Sequence, residues 1–214
     1  MKESKESSAY FKTRFSVNQQ RDAIWVNITK YLQRYVPTNS AVLDLGAGYC
    51  SFINNIKAKE KHAVDTFPDM KRYAAKGVVC YNTRSTNLSS LKTNHFDVVF
   101  ASNLFEHLTE SDMTKTISGV RKLLKKGGKL IIIQPNFKYS YADYYDDYTH
   151  KVPYTHVGLT DLLNAQGLKV IKCIPKFLPF SMKSKLSLFH FLIPLYLRLP
   201  YRPLAKQMFI VAEK

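Results

Sequence analysis

Short apolar runs alternate with amphipathic segments along most of the chain. Five of these runs are rich in branched and aromatic residues and have the length of buried strands. The predicted strands lie at 41–45, 61–65, 77–81, 96–101 and 128–133, and predicted helices at 51–59, 68–76 and 111–125 separate most of them. Because the runs are apolar on both faces and helices alternate with them, they predict a parallel sheet covered on both sides.

The two ends of the chain extend this pattern. Residues 18–35 have an apolar stripe at Ile24, Trp25, Ile28, Tyr31 and Leu32, which indicates an amphipathic helix. A helix at 160–167 and strands at 168–174 and 207–213 complete the predicted sheet, with a loop at 134–156 and an insert at 175–206. The prediction is an α/β, doubly wound, Rossmann-like sheet of seven strands. Residues 1–36 form a tail and helix over a ligand cleft, and 37–214 form one domain of ordinary size.

Charge and cysteine content limit the classes of function. The 214 residues carry 32 Lys and Arg against 16 Asp and Glu, a formal charge of +16. A positive charge of this size favours nucleic acid, phosphorylated molecules or anionic membranes as partners. Residues 1–8 are polar and lack the apolar core of a signal peptide. The three cysteines lack metal-ligand spacing, so we expect small buried side chains in a reducing cytoplasm, and no metal site.

A glycine turn follows the first predicted strand. Gly46-Ala47-Gly48 separates that strand from a helix, an arrangement that points backbone N–H groups at a polar ligand. The dinucleotide fingerprint needs glycine or alanine at position 51, where this chain has Ser51, so a nicotinamide or flavin cofactor is disfavoured. Asp65 ends the second strand about 20 residues further on, where such folds place a carboxylate that binds ribose.

Four segments in this order resemble class I S-adenosylmethionine-dependent methyltransferases. They are VLDLGAGYC at 42–50, Asp65, FDVVFASNLFEHL at 96–108 and LLKKGGKLIIIQPN at 123–136. The likeness is in particular to the small-molecule branch, which includes quinone-biosynthesis and polysaccharide-biosynthesis enzymes. The resemblance implies S-adenosylmethionine as cofactor and a mostly parallel sheet whose last strand is antiparallel.

The resemblance also implies a cofactor site. Asp44 would order the amino group of the cofactor, Gly46 and Gly48 would line its methionine part, Asp65 would accept from the ribose hydroxyls, and Asn103 would lie beside the methionine part. Two plainer interpretations stay open. Asp44 could be a solvated aspartate at a strand end, and Asp65 could be a helix N-cap.

The adenine side departs from the resembled family. Many relatives have an acidic residue after the third strand, whereas this chain has Asn82-Thr-Arg-Ser-Thr-Asn87. Adenine would then be bound by Ser85, Thr86 or a main-chain amide, and the sequence does not choose among them.

The loop at 134–156 is the candidate acceptor site. It follows the fifth strand and is rich in tyrosine and aspartate, a composition typical of a functional lid. His150 is the first candidate for a general base, because imidazole titrates near neutral pH. Alternatively it is a structural histidine bonded to Asp146 or Asp147. His107 is the second candidate, since it recurs near the acceptor in the resembled family, but it could instead cap its own helix. His156 is expected to support the turn into the next helix.

These features predict O-methylation of a small-molecule or sugar/glycolipid acceptor. The alternatives are a nucleic-acid methyltransferase and a non-catalytic S-adenosylmethionine-binding protein. The segment after the fourth strand lacks the Asn/Asp-Pro-Pro-aromatic pattern of base-amino methyltransferases, which disfavours nucleic acid. Residues 177–202 are apolar with basic flanks, so they indicate peripheral contact with an anionic membrane, or else a packed cap or dimer surface. The oligomeric state stays open.

Overall fold

One seven-stranded sheet organises the protein. The computed structural model describes residues 19–179 and 192–214. The strands are β1 (Ala41–Leu45), β2 (Glu60–Asp65), β3 (Val78–Asn82), β4 (Phe96–Ser102), β5 (Leu124–Pro135), β6 (Lys169–Pro179) and β7 (Ala205–Glu213). They lie in the order β3-β2-β1-β4-β5-β7-β6. The predicted Rossmann-like, seven-stranded α/β fold is confirmed.

Seven helices accompany the sheet in the described parts of the chain. They are α1 (Gln19–Leu32), α2 (Ser51–Asn55), α3 (Met70–Tyr73), α4 (Glu110–Leu123), α5 (Phe137–Ser140), α6 (His156–Ala165) and α7 (Ile193–Tyr196). Short 3₁₀ turns lie at Gln33–Tyr35, Phe105–His107 and Tyr144–Asp146. Strands β1 to β5 pair in parallel, and β7 runs antiparallel between β5 and β6. The predicted antiparallel last strand is therefore confirmed.

Alternate residues of the central strands enter two apolar layers. In β1, Leu43 packs with the side of the sheet that carries α4 and α6, while Val42 packs with the side that carries α1 and α2. All five β1 residues are buried. Because neither face of the strand is in contact with solvent, its sequence is apolar at every position except Asp44.

Helix α1 belongs to the second layer. Four of the five residues in its predicted stripe are buried, namely Ile24, Trp25, Ile28 and Leu32. The Trp25 ring packs edge-on against Phe100 of β4 at 6.2 Å between centroids, and Phe52 of α2 stacks on the same ring at 3.9 Å. The helix thus anchors the chain on the face of the sheet. The placement of residues 1–36 over the ligand cleft stays a prediction, because residues 1–18 lie outside the described residues.

Helix α2 ends at Asn55, earlier than the predicted position 59. The Gln33 side chain pairs with the backbone of Lys57, since Nε2 donates to the Lys57 carbonyl at 3.0 Å and Oε1 accepts from its N–H at 2.9 Å. These two bonds use the backbone groups that a longer helix would need. A side chain 24 positions away in the sequence therefore ends this helix.

Strand β6 is longer than predicted and takes up part of the insert. It continues to Pro179, five residues beyond the predicted end, because Phe177 is buried against Phe209 and Tyr31. The pairing of β6 with β7 changes register between Ile174 and Leu178. Residues 180–191 of the insert lie outside the described residues, and β7 begins at Ala205.

The parallel pairing fixes where ligands can bind. The carboxyl ends of β1 to β5 lie at one edge of the sheet, which we call the carboxyl edge. The chain reverses its direction of travel across the sheet between β1 and β4, which are neighbours although β2 and β3 separate them in sequence. Open α/β sheets bind ligands in the crevice at such a crossover.

Candidate functional site

The turn after β1 is held tightly against β2. The N–H groups of Gly46 and Ala47 both donate to the Val64 carbonyl, at 2.8 and 3.1 Å. Gly46 has φ +77° and Gly48 has φ +51°. A Cβ atom on Gly46 would lie 3.2 Å from Cδ1 of Leu104. Glycine at position 46 is therefore required both by its backbone conformation and by the approach of a side chain that follows β4.

Asp44 carries a buried carboxyl in β1, two residues before Gly46. Its exposed fraction is 3%. Burial raises its pKa to about 8, the nearby Asp65 adds to the rise, and a hydrogen bond from the Ile53 backbone opposes it. The interpretation of Asp44 as a solvated strand-end aspartate is therefore wrong. A cationic group of a ligand at the crevice would favour its ionised form.

Asp65 fixes the edge of β2 to the glycine turn. Oδ2 accepts from the N–H of Gly48 at 2.7 Å, and Oδ1 accepts from the N–H of Phe67 at 2.8 Å. Burial raises its pKa in spite of these bonds. The residue at the N-cap of α3 is Asp69, so the interpretation of Asp65 as that cap is wrong. A carboxylate oxygen has two lone pairs, and the second can accept from a ligand hydroxyl.

The loop at 82–87 lies beside Asp65. Asn82 Nδ2 donates to the carbonyls of Asp65 and Phe67, at 3.2 and 3.1 Å. The Ser85 hydroxyl is 3.2 Å from that of Thr116 on α4, so a protein group already engages it. Thr86 is half-buried in the same loop. The structure thus brings both predicted residues to the carboxyl edge without choosing between them.

Asn103 and Gln134 occupy the ends of β4 and β5. Asn103 has φ +49°, and its Oδ1 accepts from Gln207 Nε2 at 3.2 Å. Its N–H donates to the carbonyl of Ile133 at 2.9 Å. Gln134 is fully buried, and neither its Nε2 nor its Oε1 has a hydrogen-bond partner among the described residues. No sequence motif singled out Gln134, although it stands in the segment LLKKGGKLIIIQPN at 123–136. Its two unpaired atoms make it a candidate for bonding a polar ligand.

A second buried carboxyl lies on the β4 side of the crevice. Glu106 has no exposed surface, and neither of its carboxyl oxygens has a hydrogen-bond partner among the described residues. Burial raises its pKa to about 8, and the charge of Asp147 adds to this. One ligand atom each from Glu106, His107 and His150 lies within 4.8 Å of the others. We call these three residues the Glu-His-His cluster. Glu106 stands in the segment FDVVFASNLFEHL at 96–108, but no sequence pattern predicted a role for it.

The two histidines of the cluster are each oriented by a polar neighbour. His150 Nδ1 is 2.6 Å from the Tyr144 carbonyl, which can only accept, so this nitrogen carries the proton. His107 Nδ1 lies 2.9 Å from Thr149 Oγ1, and that hydroxyl is 2.6 Å from a carboxylate oxygen of Asp147. Burial, together with the neighbouring His150, lowers the pKa of His107 to about 4.

The structure also decides the alternatives for His107 and His156. The N-cap of α4 is Thr109, whose hydroxyl accepts from the N–H of Asp112, so His107 does not cap that helix. His107 instead faces His150, with 4.9 Å between ring centroids. His156 is the first residue of α6, and Asn136 bonds both its ring and its N–H, as expected for support of the turn.

The tyrosines of the 134–156 loop have two different roles. Tyr144 is fully buried and its hydroxyl donates to the Val152 carbonyl at 2.6 Å, which closes the loop over the cluster. Tyr141, Tyr145 and Tyr148 are exposed and could contact an acceptor. Lys206 of β7 pairs with Asp143 and fastens the loop to the sheet.

Comparisons with known proteins agree with this geometry. Residues 43–130, which include the glycine turn and the Glu-His pair, match a family described as a methyltransferase domain. The fold is similar to a methyltransferase from Archaeoglobus fulgidus, with 22% identity over 96% of this chain and 97% of that one and a TM-score of 0.65. No curated protein matches the sequence significantly.

Two further solved structures share the fold. A methyltransferase from Thermotoga maritima has 18% identity over 98% of this chain and 95% of that one, with a TM-score of 0.65. The 1,6-didemethyltoxoflavin-N1-methyltransferase of Burkholderia thailandensis, solved with S-adenosylhomocysteine, has 16% identity over 97% and 84% and a TM-score of 0.63. The match over residues 43–130 indicates an enzyme that transfers a methyl group, and the fold is shared with S-adenosylmethionine-dependent methyltransferases.

The glycine turn gives a direct test of the cofactor site. We expect Gly46→Ala to weaken S-adenosylhomocysteine binding by about tenfold or more, at least about 1.4 kcal/mol, because the new Cβ displaces Leu104 or the turn. Isothermal titration calorimetry measures this loss. Gly127→Ala is the matched control, since Gly127 has a similar φ of +73° but no atom within 4 Å of a new Cβ and lies at the start of β5.

Both alanine variants should lose about 1–2 kcal/mol of stability through the positive φ. Unchanged affinity in Gly46→Ala, or an equal loss in Gly127→Ala, would contradict the placement of the cofactor at this turn.

Proposed function

We propose that the enzyme methylates a hydroxyl oxygen of a small-molecule or sugar acceptor. The observation that carries this proposal is the pair of oriented histidines, His107 and His150, on the side of the crevice opposite the Asp44 and Asp65 carboxyls. The crevice thereby has one half suited to a cofactor and another with groups that can activate an acceptor.

Residues at the ends of β1, β2 and β4 fit the donor. Bound S-adenosylmethionine supplies a methyl group activated by a sulfonium. The Asp44 carboxylate would pair with the ammonium of the donor, and the buried position of this carboxyl strengthens the pairing. Asp65 would accept from the ribose hydroxyls with the lone pairs that Gly48 and Phe67 leave. The backbone of Gly46 and Gly48 and the side chain of Asn103 would line the methionine part.

The acceptor half needs to remove a proton, because a neutral hydroxyl is a weak nucleophile. As His150 Nδ1 carries a proton, its Nε2 is the basic nitrogen of that ring. This nitrogen would take the hydroxyl proton of the acceptor while the acceptor oxygen bonds the methyl carbon and the electron pair of the broken C–S bond stays on sulfur. His107, oriented through Thr149 and Asp147, is the second candidate for this role.

The surroundings of the cluster favour a sugar or similar polyol. Exposed tyrosine rings at 141, 145 and 148 offer faces on which a sugar can stack, next to loop carboxylates that can bond its hydroxyls. A nucleic-acid acceptor is the second candidate, and the charge of +16 supports it. The buried acid-base cluster favours the hydroxyl acceptor and also disfavours a non-catalytic role, which would not need it.

We also propose that the enzyme contacts anionic membranes from the cytoplasmic side. In the described part of the chain no helix is long and apolar enough to cross a membrane. Between 192 and 204, however, Leu192, Leu195, Leu199, Tyr201 and Leu204 are exposed, and Arg198 lies among them with its side chain in solvent. Apolar side chains interspersed with basic ones suit the interface of an anionic bilayer. A glycolipid acceptor would be presented at such a surface.

The buried Asp44 predicts a pH dependence of cofactor binding. In the unliganded protein its pKa is about 8, so this carboxyl is largely protonated at pH 6 and must lose the proton to pair with an ammonium. Affinity for S-adenosylhomocysteine should therefore rise from pH 6 to pH 8, approaching about tenfold per pH unit. Calorimetry in buffers of different ionisation enthalpy should detect proton release. Asp44→Asn should bind S-adenosylhomocysteine weakly, with an affinity that does not change with pH. If the affinity of this variant rises with pH as steeply as that of the wild type, Asp44 is not the titrating group.

Methyl transfer itself should be measured with labelled donor and separate pools of glycolipid, soluble glycans, RNA and protein. We expect label in the hydroxyl-bearing glycan or glycolipid pool. His150→Ala should lose at least about a hundredfold in turnover, as expected for a proton-transfer group, and keep its affinity for S-adenosylhomocysteine.

The matched control is His95→Ala. His95 also bonds a carboxylate, that of Glu60 at 2.9 Å, but lies at the opposite edge of the sheet, so turnover should be unchanged. Label found only in RNA would contradict the proposal of a small-molecule or sugar acceptor. Full turnover in His150→Ala would reduce this histidine to a structural role.

Membrane contact is tested by vesicle flotation. The enzyme should float with vesicles that contain phosphatidylglycerol, should not float with neutral phosphatidylcholine vesicles, and should be released as salt rises, because exposed charges are screened within about 10 Å at 0.1 M salt. Leu195→Glu together with Leu199→Glu should abolish binding, while Val79→Glu, an exposed apolar residue on β3, should not. No binding at low salt would show that the apolar surface serves as a packed cap or dimer contact.

A further inference from the structure

The Glu-His-His cluster gathers groups that accept hydrogen bonds and ligate cations. One ligand atom each from Glu106, His107 and His150 falls within 4.8 Å of the others. The Glu106 carboxyl is fully buried, and both of its oxygens lack a hydrogen-bond partner among the described residues. A buried carboxyl without a donor is costly, and buried charges in proteins are usually paired or bound to metal. A positively charged or donor group at the centre of the cluster would offset this cost.

Each histidine of the cluster donates a hydrogen bond from one ring nitrogen, as histidines that bind a metal through the other nitrogen usually do. A histidine that binds a metal through one nitrogen usually donates its other N–H to a carbonyl or to a carboxylate. His150 donates from Nδ1 to the Tyr144 carbonyl. The short contact from Thr149 Oγ1 to Asp147 is a hydroxyl donating to a carboxylate, so Thr149 is left to accept from His107 Nδ1. In both rings Nε2 is then the nitrogen suited to a cation.

We propose that Glu106, His107 and His150 bind a divalent transition-metal cation that holds the acceptor hydroxyl in its open coordination positions. Two imidazoles and one carboxylate are a ligand set for Zn²⁺, Co²⁺ or Mn²⁺, whereas Mg²⁺ and Ca²⁺ prefer oxygen ligands. Three protein ligands leave room for a substrate oxygen, as in catalytic metal sites. The cysteine-based expectation of no metal site did not consider this set, because Glu106 and His150 are 44 residues apart.

This inference rests on the proposed function, since the ion would act on the hydroxyl acceptor. A bound cation lowers the pKa of a coordinated oxygen, and the released proton passes to water. The imidazoles would then activate the acceptor as ligands of the ion, in place of the direct proton transfer described above. Binding of the ion itself needs neither donor nor acceptor.

A second cluster in the chain provides an internal control. Glu60, His62 and His95 also place one ligand atom each within 4.8 Å of the others. Here, however, the carboxyl side chain is 42% exposed and already bonds His95 at 2.9 Å. This cluster lies at the starts of β2 and β4, at the edge opposite the crevice. Its carboxylate has water and a histidine to satisfy it, so nothing in its surroundings requires a metal.

The test is calorimetric titration of chelator-treated full-length protein with Zn²⁺, with Co²⁺ as an optical probe, in the absence of donor and acceptor. We expect a site that binds one ion per chain. Glu106→Gln and His150→Ala should each weaken it by about tenfold or more. His95→Ala should leave it unchanged, and the visible Co²⁺ bands should be lost only in the first two variants. Glu106→Gln keeps the shape of the side chain, and circular dichroism confirms its fold.

No ion binding, or binding lost in His95→Ala and kept in Glu106→Gln, would overturn the metal site. If His150→Ala fails to fold, Glu106→Gln decides by itself. The two proposals fail separately. Methyl transfer that persists at full rate in chelator overturns the metal alone, whereas an ion bound at the cluster with label only in RNA overturns the hydroxyl acceptor alone.

Discussion

The parallel pairing of β1 to β5 is the constraint on which the candidate site depends. Parallel strands point their carboxyl ends the same way, so five separate segments deliver their following loops to one edge. The neighbouring position of β1 and β4 opens a crevice between the glycine turn and Asn103. Leu104, which follows β4, closes against Gly46, which follows β1. The two proposed halves of the site, for donor and for acceptor, are therefore held by one rigid sheet, which would suit in-line transfer between two bound molecules.

Buried carboxyl groups distinguish this crevice from the rest of a basic protein. The chain carries a formal charge of +16, yet Asp44 and Glu106 are buried at the carboxyl edge, and burial raises the pKa of each to about 8. Keeping such groups neutral, or ionising them without a partner, costs stability in the unliganded protein. A cationic ligand beside each carboxyl would offset this cost. The ligands proposed above are an ammonium group for Asp44 and a metal ion for Glu106, which has two imidazoles beside it.

The loop at 134–156 turns two distant histidines into neighbours. Buried Tyr144 bonds the Val152 carbonyl, and the N–H of Lys151 donates to the Glu106 carbonyl at 2.8 Å. The pairing of Lys206 with Asp143 holds the other side of the loop to β7. These contacts bring His150 beside His107 and give both rings their hydrogen-bond partners. These contacts fix the loop in place, so its exposed tyrosines extend from a segment that buried Tyr144 packs against the rest of the protein.

The succession of strands and helices and the position of the glycine turn could be predicted from the sequence, because local signals encode them. Apolar runs mark strands that are buried on both faces, a positive-φ turn requires glycine at position 46, and Asp65 ends the second strand. The acceptor half depends on contacts that no local pattern encodes. Contacts between residues far apart in sequence bury Glu106 and supply the hydrogen-bond partner of His107. Such a contact, from Gln33 to Lys57, also ends α2 early, at Asn55. Burial and hydrogen-bond partners set the chemistry of a carboxyl or an imidazole, and only the tertiary structure decides those.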